Sequence, residues 1–353
     1  MKAFEKNIRK VEPYVPGEQP QRKVIKLNTN ENPYPPAPGV LRAMQELEGR
    51  VDSLRLYPDP TSELLVSALA DCYHVGKDQV FVGVGSDDVL AMCFLTFFNS
   101  EKPIFFPDIT YSFYKVWAEL YRIPYECKPV DENFRIVKED YYAENGGVIF
   151  PNPNAPTSIY ENLEFVEDIL RHNRDVIVIV DEAYIDFAGE SALQLLDKYD
   201  NLIITQTFSK ARSMAGMRIG YAIGSPMLIK YLNDAKYSFN SYTMNRTSLV
   251  YGVEAVKDQA YFEETTRKIV ETRRWAEEEF RKLGFEFPEP GGNFIFVTHP
   301  EHDARKIFEA LKEHDIYVRF WGSARIEQYL RVTVGTREEM EVMFDFLREY
   351  LGK

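Results

Sequence analysis

The chain has 353 residues, too many for one small core and enough for about two domains. Hydrophobic residues make up 45% and charged residues 27%, the balance of a soluble globular protein. A formal net charge of -13 argues against coating nucleic acid, whose phosphates would repel the chain, while leaving room for a small acidic ligand held by local arginines.

The N-terminal stretch "MKAFEKNIRKVEPYVPG" has no uninterrupted apolar run, so no signal peptide is expected, and no run of about 18 apolar residues exists to span a membrane. Residues 1–38 are rich in Pro and Asn and read as an arm with little regular structure, joining a small domain or a dimer contact. A large domain is expected over 39–245. Between Gln79 and Gly224 seven short apolar runs ("QVFVGVG", "KPIFFPD", "PYECKPV", "GVIFPNPN", "VIVIVDEAY", "LIITQTFSK", "RIGYAIG") alternate with longer segments, among them the helix-patterned "DDVLAMCFLTFF" and "LEFVEDILRHN". Runs that are apolar without alternation suit strands covered on both faces, so the fold class is α/β: a mostly parallel sheet with helices on both sides. Residues 246–353 change pattern and predict a smaller α+β domain. A long amphipathic helix stops at Gly284; "NFIFV", "IYVRF" and "YLRVTVG" follow as strands, with "ARKIFEALKEHDI" and "REEMEVMFDFLREYL" as helices.

Cys72, Cys93 and Cys127 are scattered and odd in number, which suits reduced thiols in a cytoplasm. The five histidines lack zinc spacing; His299 and His302 are close but have no partner motif, so no metal is expected.

Ligands of open α/β sheets bind at the carboxyl ends of strands, and four endings carry chemistry. In "FVGVGSDDVL" Gly83 and Gly85 let backbone approach an anion, and the helix starting at Ser86–Asp87 offers free N–H groups. Taken alone, it is also a turn capped by Ser86. "VIVIVDEAY" delivers Asp181, a carboxylate that needs a partner if buried, such as a protonated ring nitrogen; it could instead cap a turn. "NLIITQTFSK" leads to Lys210 among small residues, where desolvation and a neighbouring cation would lower its pKa and free a nucleophilic amine. Ser209 and Arg218 with the Gly85–Ser86 turn could hold a phosphate. "FPNPNAPTS" ends in a turn whose Asn side chains can donate to a ligand oxygen. A lysine for a Schiff base, an aspartate for a ring nitrogen and a phosphate cradle are together what pyridoxal phosphate requires.

The chain resembles the fold-type I, class II aminotransferases nearly end to end, and within them the histidinol-phosphate branch. The likeness rests on "LNTNENPYPP", "YPDPTSELLVSALA", "VGVGSDDVL", "FPDITYSFY", "FPNPNAPTS", "VDEAYIDF", "TFSKARSMAGMRIGY", "KYSFNSYTMN", "NFIFV" and "YLRVTVGT". It implies that Lys210 bonds covalently to pyridoxal 5'-phosphate and moves the substrate proton. Asp181 would pair with the ring nitrogen, Tyr184 bond the ring oxygen and Tyr111 stack on the ring. Ser86, Asp87 (through backbone), Ser209 and Arg218 would hold the cofactor phosphate, and Tyr57 would reach that of a partner subunit, making a homodimer the active unit. Arg331 is implied as the anchor for the substrate carboxylate or phosphate, with Arg319, Tyr34 and Asn32 assisting. The family usually has Asn before the Pro-Thr of the turn; here Ala155 stands there, so either Asn154 turns in to the ring oxygen or Tyr184 works alone. The usual Gly after Pro-Thr is Ser158. The resemblance implies amino transfer from L-glutamate to imidazole acetol phosphate in histidine biosynthesis. An aromatic aminotransferase or a threonine-phosphate decarboxylase on the same scaffold are the nearer alternatives, and a non-catalytic ligand-binding module the remote one.

Overall fold

The computed structural model describes residues 2–353; Met1, the first residue of the expected arm, lies outside them. In chain order the strands are β1 (Ile25–Lys26), β2 (Val80–Gly83), β3 (Ile104–Pro107), β4 (Tyr125–Lys128), β5 (Val148–Pro151), β6 (Val178–Asp181), β7 (Leu202–Thr207), β8 (Gly220–Gly224), β9 (Phe294–Thr298), β10 (Ile316–Tyr317), β11 (Arg319–Phe320) and β12 (Tyr329–Thr333). The helices are α1 (Pro38–Glu48), α2 (Glu63–Tyr73), α3 (Ser86–Phe97), α4 (Phe113–Tyr121), α5 (Leu163–His172), α6 (Pro226–Phe239), α7 (Arg246–Lys257), α8 (Gln259–Lys282), α9 (Ala304–Glu313) and α10 (Arg337–Leu351).

Seven strands form one sheet in the order β2-β8-β7-β6-β5-β3-β4. β8 runs antiparallel to both its neighbours and the remaining pairs are parallel. Each of the seven apolar runs supplies one strand. Their lack of alternation has a direct cause. Val178 and Val180 of β6 face the core under α2, α5 and α7, while Ile179 between them faces the core under α3, α4 and α6. Leu202 and Ile204 against Ile203 repeat the division on β7. Such side chains, essentially inaccessible, each contribute roughly 1.5–3 kcal/mol of burial.

The smaller unit joins the antiparallel sheet β11-β12-β9 to α8, α9 and α10. α8 stops where Gly284 takes φ +85, and α10 starts at a reciprocal Thr336–Glu339 capping box. β1 of the arm pairs with β10, and Leu27 is buried in this second core. The expected boundary between 245 and 246 lies just before α7. α7 packs on α1 and α2, placing Leu249, Tyr251, Ala255 and Val256 in the core of the large sheet. The helical period alone did not reveal which sheet that apolar face would meet. Among the described residues no helix is long and apolar enough to cross a membrane.

Candidate active site

Five strands of the large sheet bring their carboxyl ends to one cavity of about 600 Å³, a volume suited to a small cofactor with its substrate. β2 leads to Ser86 and Asp87, β3 to Asp108 and Tyr111, β5 to Pro151 and Ala155, β6 to Asp181 and Tyr184, and β7 to Ser209 and Lys210. The small unit closes the far side with Arg319, Trp321 and Arg331, and the arm roofs it with Tyr14, Asn28, Thr29, Asn30 and Glu31.

Asp181 is the last residue of β6 and 4% exposed. The Tyr114 hydroxyl donates to its Oδ2 at 2.8 Å and Thr205 to its Oδ1 at 3.4 Å. Burial pushes its carboxyl up to about 6, so these hydrogen bonds do not fully offset desolvation. A cation facing it would. Lys210 lies just beyond β7, and its Nζ donates to Thr29 O of the arm at 2.9 Å. Burial, then the positive field of Arg331, lowers the amine to about 7. A near-neutral lysine with no carboxylate partner is a nucleophile, not a structural ion pair.

The anion cradle sits at the start of α3. Gly85 holds φ +86, where a Cβ would lie 2.4 Å from the Arg218 guanidinium, and a Cβ on Gly220 would meet Gly85 and Ser86 backbone at 2.3 Å. Both glycines are therefore required by close approach. Arg218 reaches Asp87 Oδ2 at 3.0 Å and Ser209 Oγ at 3.4 Å, and Tyr111 donates to Asp87 Oδ1 at 2.7 Å. The helix start, Ser209 and Arg218 thus converge on one spot able to hold a phosphate.

Across the cavity, Arg331 donates through Nη2 to Asn28 O at 2.7 Å, while its Nε is covered and has no partner among the described residues. Arg331 lines the cavity and makes no ion pair among the described residues, so its remaining donors are available to an anion. Arg319 donates to Val15 O at 3.0 Å and Pro16 O at 3.2 Å, tying the arm over the mouth. Among the described residues no cluster of three or more metal-ligating side chains occurs.

Three residues expected at this chain's own site, Asn154, Asn32 and Tyr34, turn elsewhere. Asn154 does not turn in. Its Oδ1 accepts from Thr110, its Nδ2 donates to Ile109 O and Thr157 Oγ1, and Ala155 takes the cavity wall instead. Asn32 is spent bridging Tyr34 N and Ala211 O, and Tyr34 lies outside against Lys268. Tyr57 is 78% exposed and stacks on Tyr242, away from this chain's own cavity. Sequence reasoning missed Asn30, whose Nδ2 donates to the Tyr184 hydroxyl at 3.0 Å. It also missed Tyr14, which stacks on Phe113 at 4.3 Å, and Tyr114 beneath Asp181. Asn30 lies in the same "LNTNENPY" string as Asn32, but its φ of 55° turns it inward, and no local pattern announces that.

Comparison with known proteins agrees with this geometry. Residues 22–347 match the family model described as aminotransferase class I and II. The chain is 48% identical to a histidinol-phosphate aminotransferase of Clostridium botulinum, over all of both chains. It is also 48% identical to one of Lactococcus lactis subsp. cremoris, over 99% of this chain and 98% of the other. Among solved structures, the histidinol-phosphate aminotransferase of Sinorhizobium meliloti in complex with pyridoxal-5'-phosphate superposes with a TM-score of 0.83 at 25% identity, covering 94% of this chain and 92% of that one.

Proposed function

The chain belongs to the class I and II aminotransferases and, within them, to the histidinol-phosphate aminotransferases; from that premise we propose that it transfers the amino group of L-glutamate to imidazole acetol phosphate, giving L-histidinol phosphate for histidine biosynthesis, with pyridoxal 5'-phosphate as cofactor. The setting is the cytoplasm.

When bound, the cofactor supplies an aldehyde carbon that carries the amino group and a ring that draws electron density from the substrate Cα. The protein does the rest. The Gly85–Asp87 turn, Ser209 and Arg218 would hold the cofactor phosphate. Asp181, desolvated and held by Tyr114, would pair with the cofactor's ring nitrogen and favour its protonated form. Tyr184 donates to the ring oxygen, and Asn30, not Asn154, orients its hydroxyl. Lys210 would hold the cofactor through its Nζ, and the same amine is the base placed to accept the proton of the substrate Cα. The arm carbonyl of Thr29 steers that amine, and the arm excludes water above it. Arg331 anchors whichever anion arrives, the carboxylate of glutamate or the phosphate of histidinol phosphate, because its planar fork suits both.

The observation that carries this reading is the meeting, in one cavity, of a lysine lowered to about 7, a desolvated strand-end aspartate and Arg331. The exposed aromatic face of Tyr57, Tyr237, Phe239 and Tyr242 supports a homodimer in which Tyr57 enters the neighbour's site. The test is turnover of histidinol phosphate with 2-oxoglutarate beside phenylalanine and tyrosine. The reading expects glutamate as product and histidinol phosphate as the favoured donor; a clear preference for phenylalanine would reassign the substrate.

A further inference from the structure

The cofactor wall and the anion anchor belong to different units, and one buried hydroxyl joins them. Ser158 closes the "FPNPNAPTS" turn at φ +66, in the left-handed region that favours glycine. It is inaccessible to solvent. Its Oγ donates to Phe294 O at 2.9 Å and accepts from Gly292 N at 2.8 Å, and its carbonyl accepts from Gly291 N at 2.6 Å. Three hydrogen bonds thus run from one large-unit residue to the stretch that begins β9. The approach is built for closeness. A Cβ on Gly291 would sit 2.8 Å from Tyr160 Cβ and 3.2 Å from Ser158 O, and one on Gly292 3.1 Å from Ser158 Oγ. Arg273 grips the same stretch from behind, donating to Gly292 O at 2.6 Å and to Phe187 O of the large unit at 3.1 Å.

What this stretch carries is the anion end of the site. β9 pairs with β12 in the register Phe296↔Arg331 and Phe294↔Thr333. The Arg331 guanidinium lies 5.4 Å from the Phe294 ring centroid, and the same ring meets Tyr184 edge-on at 4.9 Å. Asn293 donates to Asn30 O, so the arm is fastened to the same stretch.

We propose that Ser158 is a positioning residue, whose hydroxyl sets the distance between the cofactor wall and Arg331 and so determines how tightly a substrate anion is gripped. The inference rests on the aminotransferase reading above. Ser158 touches neither cofactor nor substrate; it acts through Phe294 and β12.

The test uses cofactor-loaded enzyme carrying Ser158→Gly, which tolerates φ +66 and loses both hydroxyl bonds, with Ser158→Ala beside it. Loss of two buried hydrogen bonds should raise KM for glutamate and for histidinol phosphate about tenfold. Inorganic phosphate, titrated calorimetrically into the loaded enzyme whose own phosphate cradle is filled, should bind correspondingly more weakly. kcat should stay within about twofold, and the cofactor absorbance and its dissociation constant should stay those of the parent. Unchanged KM and phosphate affinity would overturn the role. So would a parallel loss of cofactor affinity, or failure of both variants to fold, since either makes the hydroxyl a structural tie. If the parent enzyme itself does not transaminate, the functional reading fails instead, and the phosphate titration still decides whether Ser158 sets the anion grip.

Discussion

The two ends of the cavity are built on different principles. At the ring end, Asp181 and Lys210 are delivered by adjacent parallel strands whose every residue is buried, so their spacing is fixed by the sheet itself. At the anion end, Arg331 sits on a three-stranded sheet of the small unit, held by one carbonyl of the arm and facing a second arginine that holds the arm in place. Rigid strand ends suit groups whose protonation must be tuned by desolvation. An assembled end suits a grip that must accept two different anions in one catalytic cycle. The comparison predicts that damage at the ring end removes the chemistry, while damage at the anion end mainly weakens binding.

The largest effect should come from Lys210→Ala. Removing both the covalent tether and the base for the Cα proton should lower turnover by roughly 10⁴-fold or more, measured in single-turnover mixing with glutamate. The fold should persist, because the amine makes one hydrogen bond, to Thr29 O. Residual turnover within tenfold of the parent would remove the ring-end assignment.

Asp181→Asn comes next. Once the ring nitrogen is bound, the carboxylate is one half of a buried charge pair, and breaking such a pair costs roughly 3–5 kcal/mol, read as lost cofactor retention and turnover. The apoprotein should respond in the opposite sense. Its carboxyl is raised from 3.8 to about 6 by burial, so over that interval the folded form holds the proton the unfolded form has released. Stability therefore falls as pH rises through the interval, and the cost is complete above it. At pH 8 the Asn variant lacking cofactor should melt no lower than the parent. A lower melting temperature would mean that Asp181 serves the fold.

Arg331→Lys tests the other end. Lysine keeps the charge and loses the fork, so KM for both amino donors should rise by about 2 kcal/mol, near thirtyfold, with kcat changed far less. A kcat loss that matches the rise in KM would erase the distinction between the two ends. Asn30→Gly is milder. Glycine accepts the φ of 55°, and losing the donor to Tyr184 should cost about 1 kcal/mol in kcat.

The same division explains what the sequence made legible. The ring end is local: an apolar run, then the chemical residue, as in "VIVIVDEAY" and "LIITQTFSK", with the sheet bringing the endings together. Seven runs therefore predicted seven strands and a shared mouth. The arm is not local. Asn28, Thr29, Asn30 and Glu31 reach the cavity because β1 pairs with β10 some 290 residues away. Within that string, one left-handed residue decides that Asn30 faces in while Asn32 does not. Which way Asn154 turns was hidden for a similar reason, since its three partners lie on the turn and on the loop after β3. The identity of α7's host sheet was hidden because an amphipathic stripe states that a face is buried, not against what.

The smallest predicted effect joins the two ends. Lys210 is lowered from 10.5 to about 7, first by burial and next by Arg331. Between those values the unfolded chain holds a proton that the folded chain has released, so this group makes stability rise with pH from about 7 toward 10.5 and contributes no slope below 7. The same titration governs nucleophilicity. The rate at which the apoprotein takes up an aldehyde should climb with pH to a midpoint near 7 rather than near 10.5. Replacing Arg331 by Ala removes the second cause and leaves the first, so the midpoint should move upward by less than the distance back to an exposed lysine. A midpoint that does not move would show the ends to be electrically independent. A midpoint that returns to the ordinary lysine range would show that the arginine, and not desolvation at the strand end, sets the amine. Only an upward shift of intermediate size fits a site in which the sheet prepares the nucleophile and the anion anchor trims it, so that an arriving carboxylate or phosphate, by neutralising Arg331, raises the proton affinity of the group that must next accept the Cα proton.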